Sequence, residues 1–346
     1  MIVLGIETSC DETALAIYDT NQGLIGHLLH TQTTQLIKHG GVIPEVAARY
    51  HIQYLTPLLN QLLLEHHLTL NDLNFIAYTK GPGLVGSLLT GISFAKSLSF
   101  ALKIPALGIN HLEGHLLACF IKEANNHNLR HQPEFPFLVL LASGGHTMLI
   151  HAKALGNYQI LGETLDDAAG EALDKTAKLL GITPPNGKEL SLLAEKSHNP
   201  KLFYFTRPLI NQKKLNFSFS GLKTAAMLKI KQFPPEDQTY KADLAYAFQE
   251  AVMDTLVIKC QQALEVTKLN QLVIAGGVTA NLCLRNKLLN LENSFNHQLK
   301  IFFPKLEFCT DNGAMIAVAG SMRGSQGYKD DNLDIAALAR WDLNRL

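Results

Sequence analysis

The chain has little that would commit it to a specialised environment. Its 346 residues balance 30 Lys+Arg against 30 Asp+Glu, a formal net charge of zero. That excludes a constitutively basic nucleic-acid coat protein and leaves any RNA partner to a local basic patch or a helper subunit. The five cysteines (Cys10, Cys119, Cys260, Cys283, Cys309) are scattered and form no C-x-x-C pair. A disulfide framework and a cysteine zinc knuckle are thereby excluded, and a reducing compartment is expected. The opening MIVLGIETS shows no basic n-region or cleavage site, and no apolar run approaches the roughly 20 residues of a membrane span. The expectation is a cytoplasmic protein without membrane contact. Hydrophobic content of 47% against 17% charged residues is that of a packed globular protein, not a disordered one.

This length is large for one core, so two lobes are expected. Two segments look alike. Residues 2–8, the turn Ser9-Cys10-Asp11-Glu12 and residues 13–18 form one; residues 137–142, the turn Ser143-Gly144-Gly145-His146 and residues 147–151 form the other. Each reads as an apolar strand, a tight turn and a second strand, which is a hairpin pattern. Duplicated lobes follow: an N-terminal lobe over 1–123, completed by 325–346, a connection over 124–136, and a C-terminal lobe over 137–324 with a helical insertion. Further strands (74–79, 161–164, 271–275, 301–303) alternate with helices (87–101, 166–180, 281–289, 312–322). Such alternation predicts α/β lobes with ligand sites at strand ends and a cleft between lobes.

Glycines mark several strand ends. Gly81-Pro82-Gly83-Leu84-Val85-Gly86 matches G-x-G-x-x-G, but no acidic residue follows about 20 positions on to hold a ribose, and no lysine follows Gly86 as a P-loop requires. Ser143-Gly144-Gly145-His146-Thr147 is the better candidate for backbone N–H groups that cradle phosphate or adenylate oxygens. Gly276-Gly277, followed by Asn281 at a helix start, would close over base and ribose.

Asn110-His111-Leu112-Glu113-Gly114-His115 opens a helical stretch reaching to about residue 122. Spacing of four puts both imidazoles on one helix face, as a metal requires. Spacing alone is weak: His127 and His131 make another such pair within the connection. Asp311 in Cys309-Thr310-Asp311-Asn312-Gly313 is a candidate third ligand, with helix N-capping as the competing role. A metalloprotease is disfavoured. Its H-E-x-x-H machinery needs a glutamate directly after the first histidine, and helix geometry rotates Glu113 about 200° from His111.

Taken together the motifs resemble one family over nearly the whole chain. Gly5-Ile6-Glu7-Thr8-Ser9-Cys10-Asp11-Glu12-Thr13, the His111–His115 motif, Ser143–Thr147, Asp166-Asp167-Ala168-Ala169-Gly170-Glu171, Phe217-Ser218-Phe219-Ser220-Gly221-Leu222-Lys223, Gly276-Gly277-Val278 and Cys309–Gly313 look like the bacterial tRNA N6-adenosine threonylcarbamoyltransferases, the TsaD family. The resemblance implies the two-lobed actin/Hsp70/sugar-kinase (ASKHA) fold. It also implies an acyltransferase that moves threonylcarbamoyl from threonylcarbamoyl-AMP to N6 of adenosine 37 in tRNAs reading codons that begin with A.

By the same resemblance His111, His115 and Asp311 match the family's metal ligands, with iron(II) expected and zinc(II) compatible with N/O ligation. Leu141, Ala142, Ser143, Gly144, Gly145, Asp174, Gly187 and Asn281 match its adenylate-binding positions. Asp11 and Glu12 are candidates for proton management. The family works with a paralogous partner, TsaB, and an ATPase, TsaE; residues 83–101 are a candidate partner surface. Arg207, Lys213, Lys214 and Lys223, interleaved with Phe203, Tyr204, Phe217 and Phe219, form a candidate tRNA contact. One departure concerns the loop after the Asp174 helix, where the family has Pro-Gly-Gly-Pro and this chain reads Pro184-Pro185-Asn186-Gly187-Lys188. Asparagine tolerates positive φ, so the turn is expected to survive. Two rivals of the same fold are a sugar or carboxylate kinase, which has no use for a His–His–Asp group, and a non-catalytic scaffold, which lacks the histidine pair.

Overall fold

Residues 2–7 alternate large apolar side chains around Gly5, and in the structure they are a strand covered on both faces. The structure, a computed structural model, describes residues 1–32, 42–123, 132–233, 238–295 and 298–346. Most of the expected connection, with the His127/His131 pair, lies outside the described residues. The chain divides into two compact units, Met1–Gln132 with Pro304–Leu346, and Pro133–Phe303.

In the first unit β1 (Ile2–Glu7), β2 (Glu12–Asp19) and β3 (Gly23–Thr31) form an antiparallel meander, and β4 (Phe75–Gly81) and β5 (Ala106–Asn110) continue the sheet in parallel. The order is β3-β2-β1-β4-β5. One face of β1 and β2, through Leu4, Ile6, Leu15 and Ile17, packs against α1 (Pro44–Glu65) and α2 (Val85–Leu102). The other face receives a late helix, Gly313–Ser325. There a Cβ on Gly5 would sit 2.3 Å from the Gly313 carbonyl, so helix and strand meet backbone to backbone. This packing corrects the expected boundary: the chain returns to the first unit at Pro304, not 325, because that helix covers β1, β2 and β4.

The expectation about apolar runs also needs correction. Helix α2, 18 residues with mean hydropathy 1.4, is long and apolar enough to cross a membrane. Its Leu88, Ile92 and Ala95 nevertheless lie in the core of the first unit, and its buried Lys96 donates to Asp330 at 2.5 Å. It packs one face on the sheet of the first unit and leaves Val85, Leu89 and Phe100 exposed on the other.

The second unit repeats the topology. Strands β6 (Phe137–Ala142), β7 (Thr147–Ala154) and β8 (Asn157–Glu163) form the meander; β9 (Gln271–Ala275) and β10 (Lys300–Phe302) extend it in parallel. The order β10-β9-β6-β7-β8 is the first sheet's order read backwards, which is what a duplication produces. Its helices are, after α3 (His111–Leu117) of the first unit, α4 (Ala169–Leu179), α5 (Gly187–Ala194), α6 (Ser220–Ile230), α7 (Tyr240–Thr267) and α8 (Leu282–Ser294). The late helix of the first unit is α9. Long α7 is the spine of the second core, with Leu244, Phe248, Val252 and Leu256 fully buried.

Candidate functional site

Strand β5 ends at Asn110, whose side chain accepts from the Leu112 and Glu113 amides at 2.9 and 3.3 Å. That cap starts α3 abruptly at the strand end, and the helix ends at Leu117, earlier than expected, in a 3-10 turn over Ala118–Phe120. Within it the His111 and His115 rings lie 4.7 Å apart at 85°. Asp311 reaches them from another element. Its Oδ1 is 2.9 Å from His115 Nε2 and 3.5 Å from His111 Nε2. The competing capping role belongs to the next residue: Asn312 Oδ1 accepts from Met315 N at 2.9 Å and starts α9. The Asp311 carboxylate is thereby left to face the imidazoles.

One ligand atom from each of His111, His115 and Asp311 lies within 4.8 Å of the other two. Two imidazoles and a carboxylate suit zinc(II) or iron(II) alike. A carboxylate behind the first histidine strengthens the fit. Glu7, at the end of β1 and fully buried, places Oε2 3.1 Å from His111 Nδ1. Its oxygens also accept from Ser9 N at 2.6 Å and the Thr79 hydroxyl at 2.5 Å. With Nδ1–H committed to Glu7, His111 presents Nε2 toward Asp311, the outer-shell arrangement of metal-binding histidines. His115 has no such support; its buried Nδ1 has no hydrogen-bond partner among the described residues.

Electrostatics point the same way. Burial opposes charge on the His111 ring, but Asp311 and Glu7 outweigh it and push the imidazole up to about 9. Burial likewise raises the Glu7 carboxyl, yet His111 holds it below the usual range. Two carboxylates thus favour positive charge at His111, where a divalent cation would bind. Beside it, Glu12 is pushed well above an ordinary carboxyl by burial and by Asp311, Asp11 and Glu7. The turn carrying Asp11 and the start of β2 at Glu12 are held by fully buried His51, which bonds the Cys10 carbonyl at 3.0 Å and the Thr13 hydroxyl at 2.8 Å. Burial presses the Cys10 thiol upward, with Asp11 adding to it, which disfavours the thiolate that a nucleophile needs.

In the second unit the adenylate candidates lie at the end of β6 and the turn after it, on α4, at the start of α5 and at the cap of α8. Leu141 and Ala142 are fully buried and contribute a strand end, not exposed side chains. The Ser143–His146 turn closes through Ser143 N to His146 O, 2.8 Å. Gly144 and Gly145 are exposed, and nothing among the described residues lies within 4 Å of where a Cβ would stand on either. Gly170, at the start of α4, donates to the Ser143 carbonyl at 3.2 Å. Asp174 Oδ1 accepts from Gly187 N at 2.7 Å. Asn281 caps α8 and donates to Gln249 at 2.9 Å and to Ser191 of α5 at 3.3 Å. Asn186 departs from expectation: with φ −144° and ψ 164° it is extended, and its side chain caps α5 by accepting from Glu189 N at 2.8 Å. No positive φ is needed there.

The sequence pattern of the family described as TsaD, tRNA N6-adenosine threonylcarbamoyltransferase, matches residues 23–318. The tRNA N6-adenosine threonylcarbamoyltransferases of Nitrosomonas eutropha and Methylobacillus flagellatus are 51% and 50% identical to this chain, each over 100% of it and over 100% and 99% of their own lengths. The chain belongs to this family. Among solved structures, component A of the Acidaminococcus fermentans (R)-2-hydroxyglutaryl-CoA dehydratase covers 94% of this chain and 99% of its own, at 16% identity and TM-score 0.53. HypF of T. kodakarensis covers 94% of this chain and 48% of its own, at 12% identity and TM-score 0.61. At such identities the likeness is one of fold, the ASKHA fold.

Two family motifs far apart in sequence are one structural unit. Asp166 accepts from the Phe219 and Ser220 amides at 2.7 and 3.2 Å and from both serine hydroxyls, Ser218 and Ser220. Asp166 thus stands outside α4, which begins at Ala169 behind an extended Ala168. The basic stretch fares differently. Phe217 and Phe219 are fully buried and Phe203 nearly so; Arg207 is paired with Asp254 and Lys223 with Asp167. Of the residues in that candidate contact, Lys213, Lys214 and Tyr204 are the exposed ones. Sequence reasoning passed over Glu7, His51 and Asn312. Glu7 had a signal, since a lone carboxylate ending a buried apolar strand calls for a partner.

Proposed function

We propose that the protein transfers the threonylcarbamoyl group from threonylcarbamoyl-AMP to N6 of adenosine 37 in tRNAs that read codons beginning with A, using one divalent metal, iron(II) with zinc(II) as the alternative. The observation that carries the metal-assisted reading is the convergence of His111, His115 and Asp311, with Glu7 fixing the His111 tautomer. When bound there, the metal supplies Lewis acidity toward a carbonyl or carboxylate oxygen. The exposed Ser143-Gly144-Gly145 backbone, with Asp174, Gly187 and Asn281, binds and orients the adenylate. An exocyclic amine is a weak nucleophile, so orientation carries much of the rate. AMP is a competent leaving group, and no serine or cysteine nucleophile is required.

The N6 amine sheds a proton as the new C–N bond forms. Asp11 and Glu12 are the proposed acceptors. The partner reading adds TsaB and TsaE; exposed Val85, Leu89 and Phe100 on α2 support a protein-binding face. Five free cysteines fit a cytoplasmic setting. The test is transfer from purified adenylate to unmodified tRNA by His111→Ala protein whose circular dichroism matches wild type. Loss of transfer is expected. Wild-type rates would overturn the metal centre, and ATP-dependent phosphorylation of a sugar would replace the transferase with a kinase.

A further inference from the structure

Glu113 sits between the two histidines yet faces away from them, and the transfer chemistry leaves it without a role. It is only 1% exposed. Arg323 meets it with a two-pronged contact: Nε lies 3.1 and 3.2 Å from Oε1 and Oε2, and Nη2 lies 2.9 Å from Oε1. The guanidinium also stands 5.2 Å over the Tyr328 ring. A buried ion pair is weak evidence of stabilisation, because desolvation offsets the attraction. What a forked guanidinium–carboxylate contact does supply is fixed geometry.

The elements it joins are the two that bear the ligands. Helix α3 carries His111 and His115. Helix α9, which ends just past Arg323, is led by Asp311 through its cap, Asn312. The helices approach closely at Gly114, where a Cβ would lie 2.9 Å from Ile316 Cδ1 and 3.2 Å from Met315 Cγ. That approach lies near the start of α9. Arg323 lies about two helical turns beyond Ile316, so the Glu113 contact ties α3 to the far end of α9 as well.

We propose that Glu113 and Arg323 are positioning residues for the metal centre: they fix α3 against α9 and so set the separation between the histidine ligands and Asp311. This rests on the metal reading above. The probe is Co(II) alone, added anaerobically to the full chain, with affinity from chelator competition and coordination from the visible d–d spectrum. Two variants are used: Arg323→Lys, which keeps the charge and loses the fork, and the double change Glu113→Met with Arg323→Met, which removes both charges and leaves no buried one unpaired. Circular dichroism identifies the folded variants. Folded variants are expected to bind Co(II) roughly 10–100-fold more weakly with an altered d–d band. Wild-type affinity and spectrum in either folded variant would overturn the positioning role alone. Wild-type protein whose Co(II) binding is absent, or is untouched by His115→Ala, would sink the metal centre and the role of the pair together.

Discussion

Glu7 and His111 form a buried carboxylate–imidazole pair, 3.1 Å from Oε2 to Nδ1, on the side of the ring turned away from Asp311. An amide in place of the carboxylate keeps the size of the side chain but can present its NH₂ to Nδ1, which favours the tautomer with its proton on Nε2. Glu7→Gln is therefore expected to lower Zn(II) or Co(II) affinity by roughly 10–100-fold and to lower transfer with it. Metal titration of folded Glu7→Gln protein checks this; unchanged affinity would mean that the ring is oriented by helix packing alone.

The Ser143–His146 turn separates steric from functional uses of glycine. A methyl on Gly144 meets nothing within 4 Å, whereas one on Gly170 would lie 2.5 Å from the Ser143 carbonyl oxygen and 2.9 Å from Gly144 Cα. Gly170→Ala is expected to cost about 1–3 kcal/mol, the usual range for overpacking. Gly144→Ala should leave the unfolding midpoint unchanged and raise KM for the adenylate. Urea titrations beside steady-state kinetics test the contrast, and a destabilised Gly144→Ala with normal KM would remove the turn from the substrate site.

At Asn186 the departure from the family's glycine has a structural use, since the side chain caps α5. Asn186→Ala is expected to cost about 1 kcal/mol, and Asn186→Gly only a few tenths. Equal costs for the two in urea unfolding would mean that the cap contributes nothing.

Much of this fold was legible because apolar runs broken by small polar turns admit little besides hairpins; both hairpins and β9 lie where the residues place them, whereas β3 went unread and β8 begins four residues before the strand expected at 161. Helix starts were less legible where a side chain is spent elsewhere. Asp166 reads as the first residue of a helix, but it clasps Ser218–Ser220 across more than 50 positions, which no local pattern shows. Asp311 and Asn312 are both good caps by type, and only the packing of α9 decides which faces the histidines. Helix α2 reads as apolar throughout because one face enters the core, while Lys96 within it is matched by Asp330, a residue 234 positions away. The interleaved aromatics near Phe217 look like a stacking platform in sequence, but alternation along an extended segment also places every second residue in the core.

Asp243, in the first turn of α7, offers a pH test that stays clear of the site. Its Oδ1 accepts from the Ser197 hydroxyl at 2.6 Å and from the His198 and Asn199 amides at 2.9 and 2.8 Å. Burial works to raise this carboxyl, but the three donors and His198 more than offset it and hold it below the usual range. A carboxyl whose folded value is depressed stabilises the fold fully above its unfolded value, about 3.9, and that contribution is lost as pH falls through the folded value. Asp243→Asn is accordingly expected to lower stability by about 2 kcal/mol at pH 7, the range for hydrogen bonds to a charged group. The gap between variant and wild type should narrow steadily below about pH 4, because the protonated wild-type carboxyl then resembles the amide. Guanidinium midpoints from pH 7 down to pH 3 measure both; a gap independent of pH would show that the ionised form of Asp243 adds nothing to the clasp.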